Sequence, residues 1–150
     1  MIDVTTLCYI DNGTDYLMLH RNKKEQDINK DKYIGIGGHI NIGESPDDCI
    51  KREAIEETGY VLDEIKLRGI ITFVMDDTEE LTFLYTCRSY HGNQKACDEG
   101  DLCWVPKTKI KTLPLWEGDK IFLDLLESRT DVFSLKLCYI KGELVGYELD

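Results

Sequence analysis

"GHINIGESPDDCIKREAIEETGY", Gly38 to Tyr60, sets Glu53, Glu56 and Glu57 within a few residues of one another and then stops at a glycine. Like charges at helical neighbour spacing repel by a few tenths of a kcal/mol, about 0.2–0.5 per exposed pair. Either the segment is a solvated face that tolerates the cost, or a cation is meant to sit there. The punctuation predicts a helix. Ser45 suits the N-cap and Pro46 the first helical position, Asp47 and Asp48 complement the positive end of the dipole, and Asp48 stands where a capping-box acid belongs. Gly59 is a natural terminator. At about 100° per residue, the three glutamates fall in one sector while Ile50, Ala54 and Thr58 share another face.

Outward from this segment the chain reads as alternating strands and helices. "TTLCYI" (Thr5–Ile10) and "YLMLH" (Tyr16–His20) flank "DNGTD", an Asn-Gly turn, and predict a β-hairpin. "RNKKEQDINKDK" is too charged for a core element and reads as a loop, followed by glycine-rich "YIGIGGHINIGES". After the helix, "GIITFVM" and "LTFLYTCRSY" predict a strand pair separated by "DDTEE", and "DLCWVP" a further short strand. "WEGDKIFLDLLES" has Ile121, Phe122, Leu125 and Leu126 at helical spacing, and "FSLKLCYIKGELVGYEL" reads as a closing hairpin around "KGE". Strands before, between and after two helices predict an α/β (α+β) class, a mixed sheet with helices on its faces.

Composition narrows the function classes. With 150 residues, 42% hydrophobic and 31% charged, residues 1–150 are expected to form a single globular domain. No apolar run approaches the roughly 18 residues that cross a bilayer, and the opening "MIDVTTLCYIDNGT" lacks the features of a signal peptide. The expectation is a cytoplasmic protein with no membrane partner. A net charge of −11 disfavours a nucleic acid polymer, while a small phosphorylated ligand is admissible if divalent cations bridge it to the acidic surface. The six cysteines show no CxxC and no zinc spacing, so reduced packing residues are expected. His20, His39 and His91 show no mutual spacing of a metal site or triad.

Gly38, Glu44, Arg52, Glu53, Glu56, Glu57 and Gly59 stand at the fixed positions of the Nudix box, and the chain resembles the Nudix hydrolases. With each residue used at roughly 7%, these positions would match by chance on the order of once in a million chains of this length. Tyr60, where the family usually has an aliphatic residue, is a mild departure. The remaining segments are similar to the MutT/MutX branch, diphosphatases that remove 8-oxo-dGTP from the nucleotide pool.

That resemblance implies an α/β/α sandwich around a mixed sheet. It implies Mg²⁺ as cofactor, with Mn²⁺ as the alternative, and a nucleoside triphosphate, preferentially oxidised dGTP, as substrate. Hard divalent cations prefer carboxylate oxygens, which explains the crowded glutamates. By resemblance, Glu53, Glu56 and Glu57 are metal ligands with the Gly37 carbonyl and Glu99, while Arg52 and Glu44 orient them. The general base is one of Glu53, Glu56, Glu57 or Glu99. The alternative for Glu99 is a loop carboxylate like Asp98 and Asp101. Gly38 and His39 lie in the box and are expected at the substrate, and Arg21, Lys23 and Lys24 at the triphosphate, the alternative being a solvated loop.

Trp116 and Asp119 fall where relatives stack on the purine and read its edge. The alternative is a core aromatic and a first-turn helix acid. Ile34 occupies the place of an asparagine that reads the oxidised base, and an isoleucine packs but does not hydrogen-bond. This departure keeps ADP-ribose or an unmodified dNTP open as substrate. A non-catalytic nucleotide-sensing module is the remote alternative, since such modules generally lose box carboxylates that are retained here. A monomer is expected, with a dimer as the alternative.

Overall fold

The apolar residues of the first strand divide between two faces, and that division organises the fold. The computed structural model describes residues 2–150. β1 (Ile2–Asp11) sends Tyr9 into one hydrophobic core and Cys8 and Ile10 into another. The chain turns at Asn12 and Gly13, where the Asn12 side chain accepts from the amides of Thr14 and Asp15, and returns as β2 (Asp15–His20). This is the hairpin that the Asn-Gly pair predicts.

β3 (Tyr33–Ile34) and β4 (Ile36–His39) carry the glycine-rich segment. β3 pairs with β2, and β4 pairs antiparallel with β1 from Thr5↔His39 to Cys8↔Ile36. β5 (Tyr60–Met75) and β6 (Thr78–Gly92) form a long antiparallel pair, and β6 lies parallel to β1 from Ile2↔Glu79 to Ile10↔Cys87. β7 (Asp101–Pro106) pairs with β2, β8 (Phe133–Ile140) lies parallel to β5, and β9 (Glu143–Leu149) closes the far edge. The nine strands of the described residues belong to one mixed sheet.

A helix covers each face, which gives the α+β sandwich. α1 (Pro46–Thr58) begins as expected: Ser45 Oγ accepts from the Asp48 amide at 3.0 Å, and Asp48 Oδ2 accepts from the Ser45 amide at 3.1 Å. It ends at Gly59, whose φ is +84°. On its buried face, Ile50 and Ala54 pack on Cys8, Ile10, Leu17 and Ile36, while buried Cys49 meets Thr6 and the Gly38 and His39 carbonyls. α2 (Glu117–Ser128) lays Phe122, Leu123 and Leu126 on the opposite face, against Tyr9, Ile71, Leu135 and Leu137. Full burial of such a side chain is worth about 1.5–3 kcal/mol.

Three strands are clearly longer than the sequence implies, β1 by three residues at its start. β5 starts directly after Gly59, and register shifts near Leu62, Glu64 and Leu67 break the period-2 pattern that would reveal it. β6 starts at Thr78, so the turn is only Asp76–Asp77, with Asp76 at φ +53°, and Glu79 and Glu80 belong to the strand. All six cysteines are free thiols, and Cys8, Cys49, Cys87 and Cys97 are buried. No helix among the described residues is long and apolar enough to cross a membrane.

Candidate active site

The capping box and Gly59 fix α1 in length and phase, and its glutamate edge meets β4 at the head of a cleft of about 760 Å³. Glu57 is 7% exposed and its Oε2 accepts from the Gly37 amide at 3.0 Å. Burial pushes its pKa up to about 8; the Gly37 hydrogen bond opposes this, and the charges of Glu53 and Glu99 add to it. Burial likewise raises Glu53, with further repulsion from Glu56 and Glu99 and opposition from Arg52. Glu56 is the exposed member of the three. Gly38 makes room for this crowd: a Cβ there would lie 2.6 Å from the Glu53 carboxyl carbon.

Arg52 ties the group together. Its Nε and Nη2 donate to Glu44 at 2.6 and 3.0 Å, a bidentate pair. Nη1 donates to Glu53 at 2.8 Å and to Glu56 at 3.2 Å, and Nη2 also reaches the His39 carbonyl at 3.1 Å. Glu44 is thereby held below the ordinary carboxylate range. Arg52 and Glu44 stand behind the cleft wall, whereas Glu53, Glu56 and Glu57 line it.

Glu99, on the loop before β7, reaches the same cleft from the other side. It is bound by Arg21 Nη1 at 3.1 Å and approached by Lys24 Nζ at 3.7 Å. Arg21 is itself anchored by Asp27, which accepts from Nε at 2.8 Å. Arg21 and Lys24 line the cleft, but Lys23 does not: its Nζ donates to the Cys97 carbonyl at 2.7 Å and turns toward Asp101. The carbonyl of Cys97, a cleft residue, and the Asp101 carboxylate outside the cleft claim that ammonium, which no spacing rule reveals.

The donor set suits a hard divalent cation, being carboxylate oxygen, with Glu53 and Glu57 raised first by burial and further by the neighbouring carboxylates. Among the described residues, no three acidic, histidine or cysteine side chains converge closely enough to ligate one ion at once. The reason is visible in their partners: Arg52 draws Glu53 and Glu56 one way, the Gly37 amide holds Glu57, and Arg21 and Lys24 hold Glu99.

Trp116, Asp119 and Ile34 line the same cleft, as do His39 and the two glycines, Gly37 and Gly38, that touch Glu57 and Glu53. Trp116 occupies the N-cap of α2 without making a cap hydrogen bond, a place where a Ser, Thr, Asp or Asn is worth about 1 kcal/mol more. Its Nε1 donates instead to Asn29 at 2.7 Å, Lys32 Nζ lies 4.8 Å over its ring, and Tyr139 meets it edge-on. Asp119 is 4% exposed, and its carboxylate accepts no hydrogen bond among the described residues. Burial raises its pKa to about 8, with Glu80 adding to the shift and Lys32 opposing it. Sequence reasoning missed the cleft's floor: Thr5, Phe73, Met75, Glu80, Thr82 and Tyr139. The alternation of Glu80 and Thr82 was the available signal, obscured because "DDTEE" reads as a turn.

A NUDIX domain model matches residues 1–126. The chain belongs to the Nudix family. This Nudix protein is 29% identical over 152 aligned positions to the uncharacterized Nudix hydrolase YvcI of Bacillus subtilis, which spans 97% of this chain and 92% of that protein. It is 28% identical over 105 positions to the oxidized purine nucleoside triphosphate hydrolase of Mus musculus, covering 69% of this chain and 67% of that one. The mutator MutT protein of Bacillus halodurans has a Nudix fold similar to this one at a TM-score of 0.87, with 26% identity over 99% of this chain and 97% of its own.

Proposed function

We propose that this Nudix protein hydrolyses nucleoside triphosphates, oxidised dGTP foremost, to the monophosphate and pyrophosphate, using Mg²⁺ and acting in the cytoplasmic nucleotide pool. The observation that carries this reading is one cleft lined both by the glutamates of α1 and by Trp116 with Asp119. A triphosphate held against the glutamates leaves its base to Trp116 and Asp119. The similarity to the mouse enzyme, named for oxidized purine nucleoside triphosphates, supports the same substrate class.

One water is consumed. A new P–O bond forms at phosphorus, the linkage between the α- and β-phosphates breaks, and pyrophosphate leaves. A bound divalent cation supplies neutralisation of phosphate charge and a lowered pKa for attacking water. The chain's own residues do the rest. Glu53, Glu56, Glu57 and Glu99, with the Gly37 carbonyl, offer the oxygen ligands, and one of these four carboxylates takes the proton of the water. Arg52 and Glu44 hold the ligand edge of α1, and Arg21 and Lys24, which line the same cleft, would counter the triphosphate charge.

Base recognition falls to Trp116 and Asp119, since Ile34 packs without hydrogen-bonding. Stacking on an aromatic ring is worth about 1–3 kcal/mol per base. The test is a panel of initial rates with Mg²⁺ on 8-oxo-dGTP, dGTP, the other dNTPs and ADP-ribose, resolving pyrophosphate from monophosphate. A preference of about tenfold or more for 8-oxo-dGTP, the factor that about 1.4 kcal/mol of differential recognition produces, with pyrophosphate released, is the expected result. A flat profile, or ADP-ribose in front, overturns the substrate assignment.

A further inference from the structure

The floor of the distal cleft is polar where base pockets are mostly apolar. β1 and β6 run parallel with Thr5 opposite Thr82, and these side chains are only 7% and 2% exposed. Glu80 lies two residues before Thr82, on the same face of the sheet. The Thr5 and Thr82 hydroxyls approach Glu80 Oε2 at 3.0 and 3.2 Å and each other at 2.8 Å. Two hydroxyls carry two hydrogens, so at most two of these three contacts are hydrogen bonds at once, and those to the carboxylate all go to one oxygen. Glu80 Oε1 has no partner among the described residues.

The register places Glu80 opposite Phe73, beside the wall formed by Phe73, Met75 and Tyr139. Asp119 lines the same space from the start of α2, buried and with no hydrogen bond to its carboxylate among the described residues. An acceptor withdrawn from water is costly unless a ligand supplies the donor. Asp119 is such an acceptor, half-buried Glu80 presents its free oxygen to the same cleft, and Lys32, the nearby cation, is engaged over the Trp116 ring.

We propose that Glu80, positioned by Thr5 and Thr82, is a specificity-determining residue that accepts an N–H of the substrate base. The cleft therefore selects bases whose edge presents N–H donors, guanine and its N7-protonated 8-oxo form above all. This rests on the nucleoside triphosphate reading given above. A base edge that presents an acceptor at this point meets the lone pairs of a carboxylate and gains nothing.

The test compares kcat/KM of the wild type and Glu80→Met for dGTP, dITP (which lacks the 2-amino group) and 8-oxo-dGTP (which adds N7–H). Methionine keeps the length and removes the acceptor, while Thr5 and Thr82 retain each other as partners, and thermal melting checks the fold. Glu80→Gln serves as a second, neutral variant. The wild type is expected to discriminate by about tenfold or more within the dGTP/dITP pair, the 8-oxo-dGTP/dGTP pair or both. In Glu80→Met that ratio falls toward one, with the loss carried by KM of the member bearing the extra N–H. Unchanged ratios, with all substrates slowed alike or none slowed, overturn the role of Glu80 alone, as does a wild type that discriminates within neither pair. A wild type inactive on every nucleoside triphosphate overturns the reading beneath it as well.

Discussion

Gly38 on β4 and Glu53 on α1 are packed so closely that a methyl group on the glycine would lie 2.6 Å from the carboxyl carbon of the glutamate. The obstructed atoms are the far end of a flexible side chain, so Gly38→Ala shifts a carboxylate without deleting it. The expected outcome is a stability change under about 1 kcal/mol and a fall in kcat of at least about tenfold from misplacement. Melting curves beside initial rates check this. Unchanged turnover would show that the position of Glu53 is immaterial.

Arg52 reaches Glu44, Glu53 and Glu56 with one planar guanidinium. Lysine has the charge but a single donor centre and no fork. Arg52→Lys is therefore expected to lose about 10–100-fold in kcat/KM, the range for residues that orient metal ligands. The saturation midpoint for Mg²⁺ should move upward in the same variant. A variant with wild-type Mg²⁺ dependence contradicts the positioning role.

Asp119 sets a pH dependence of stability. Its carboxyl titrates near 8 in the folded chain against an ordinary value of 3.8. Below about pH 4 it is protonated in both states. As the pH rises from about 4 to about 8 the unfolded chain ionises while the folded chain holds its proton, so the stability it contributes at low pH is progressively lost. Asp119→Asn does not titrate. Its stability relative to the wild type is expected to grow across that window and to level off above it, by at least about 1 kcal/mol in all. Denaturant melts at a series of pH values measure the difference, and a difference independent of pH places the ionised form in the fold.

Much of the site was legible because it is encoded locally. Ser45, Pro46, Asp48 and Gly59 bound α1 at the residues observed, and helical spacing alone sets Glu53, Glu56 and Glu57 on one edge. The Asn-Gly hairpin and the closing hairpin follow from turn chemistry in the same way. What escaped is tertiary. The first half of β5 is masked by its register shifts, and Glu80 was hidden in an apparent turn that is two residues long. Thr5 and Thr82 become a pair only through the parallel β1–β6 register, which no window of sequence contains. Lys23, grouped with Arg21 by proximity in sequence, does not line the cleft, its ammonium being held between the Cys97 carbonyl and Asp101.

The central claim is that the acidic edge of α1 does the chemistry through a divalent cation. The most direct measurement is the rate of pyrophosphate release from a nucleoside triphosphate across a Mg²⁺ titration, for the wild type and for a Glu56→Gln, Glu57→Gln double variant whose melting confirms the fold. The account predicts a wild-type rate that saturates with Mg²⁺ and vanishes on chelation, and a variant slower by at least about a hundredfold at every concentration. A double variant that keeps wild-type turnover, or a wild type indifferent to chelation, would contradict it.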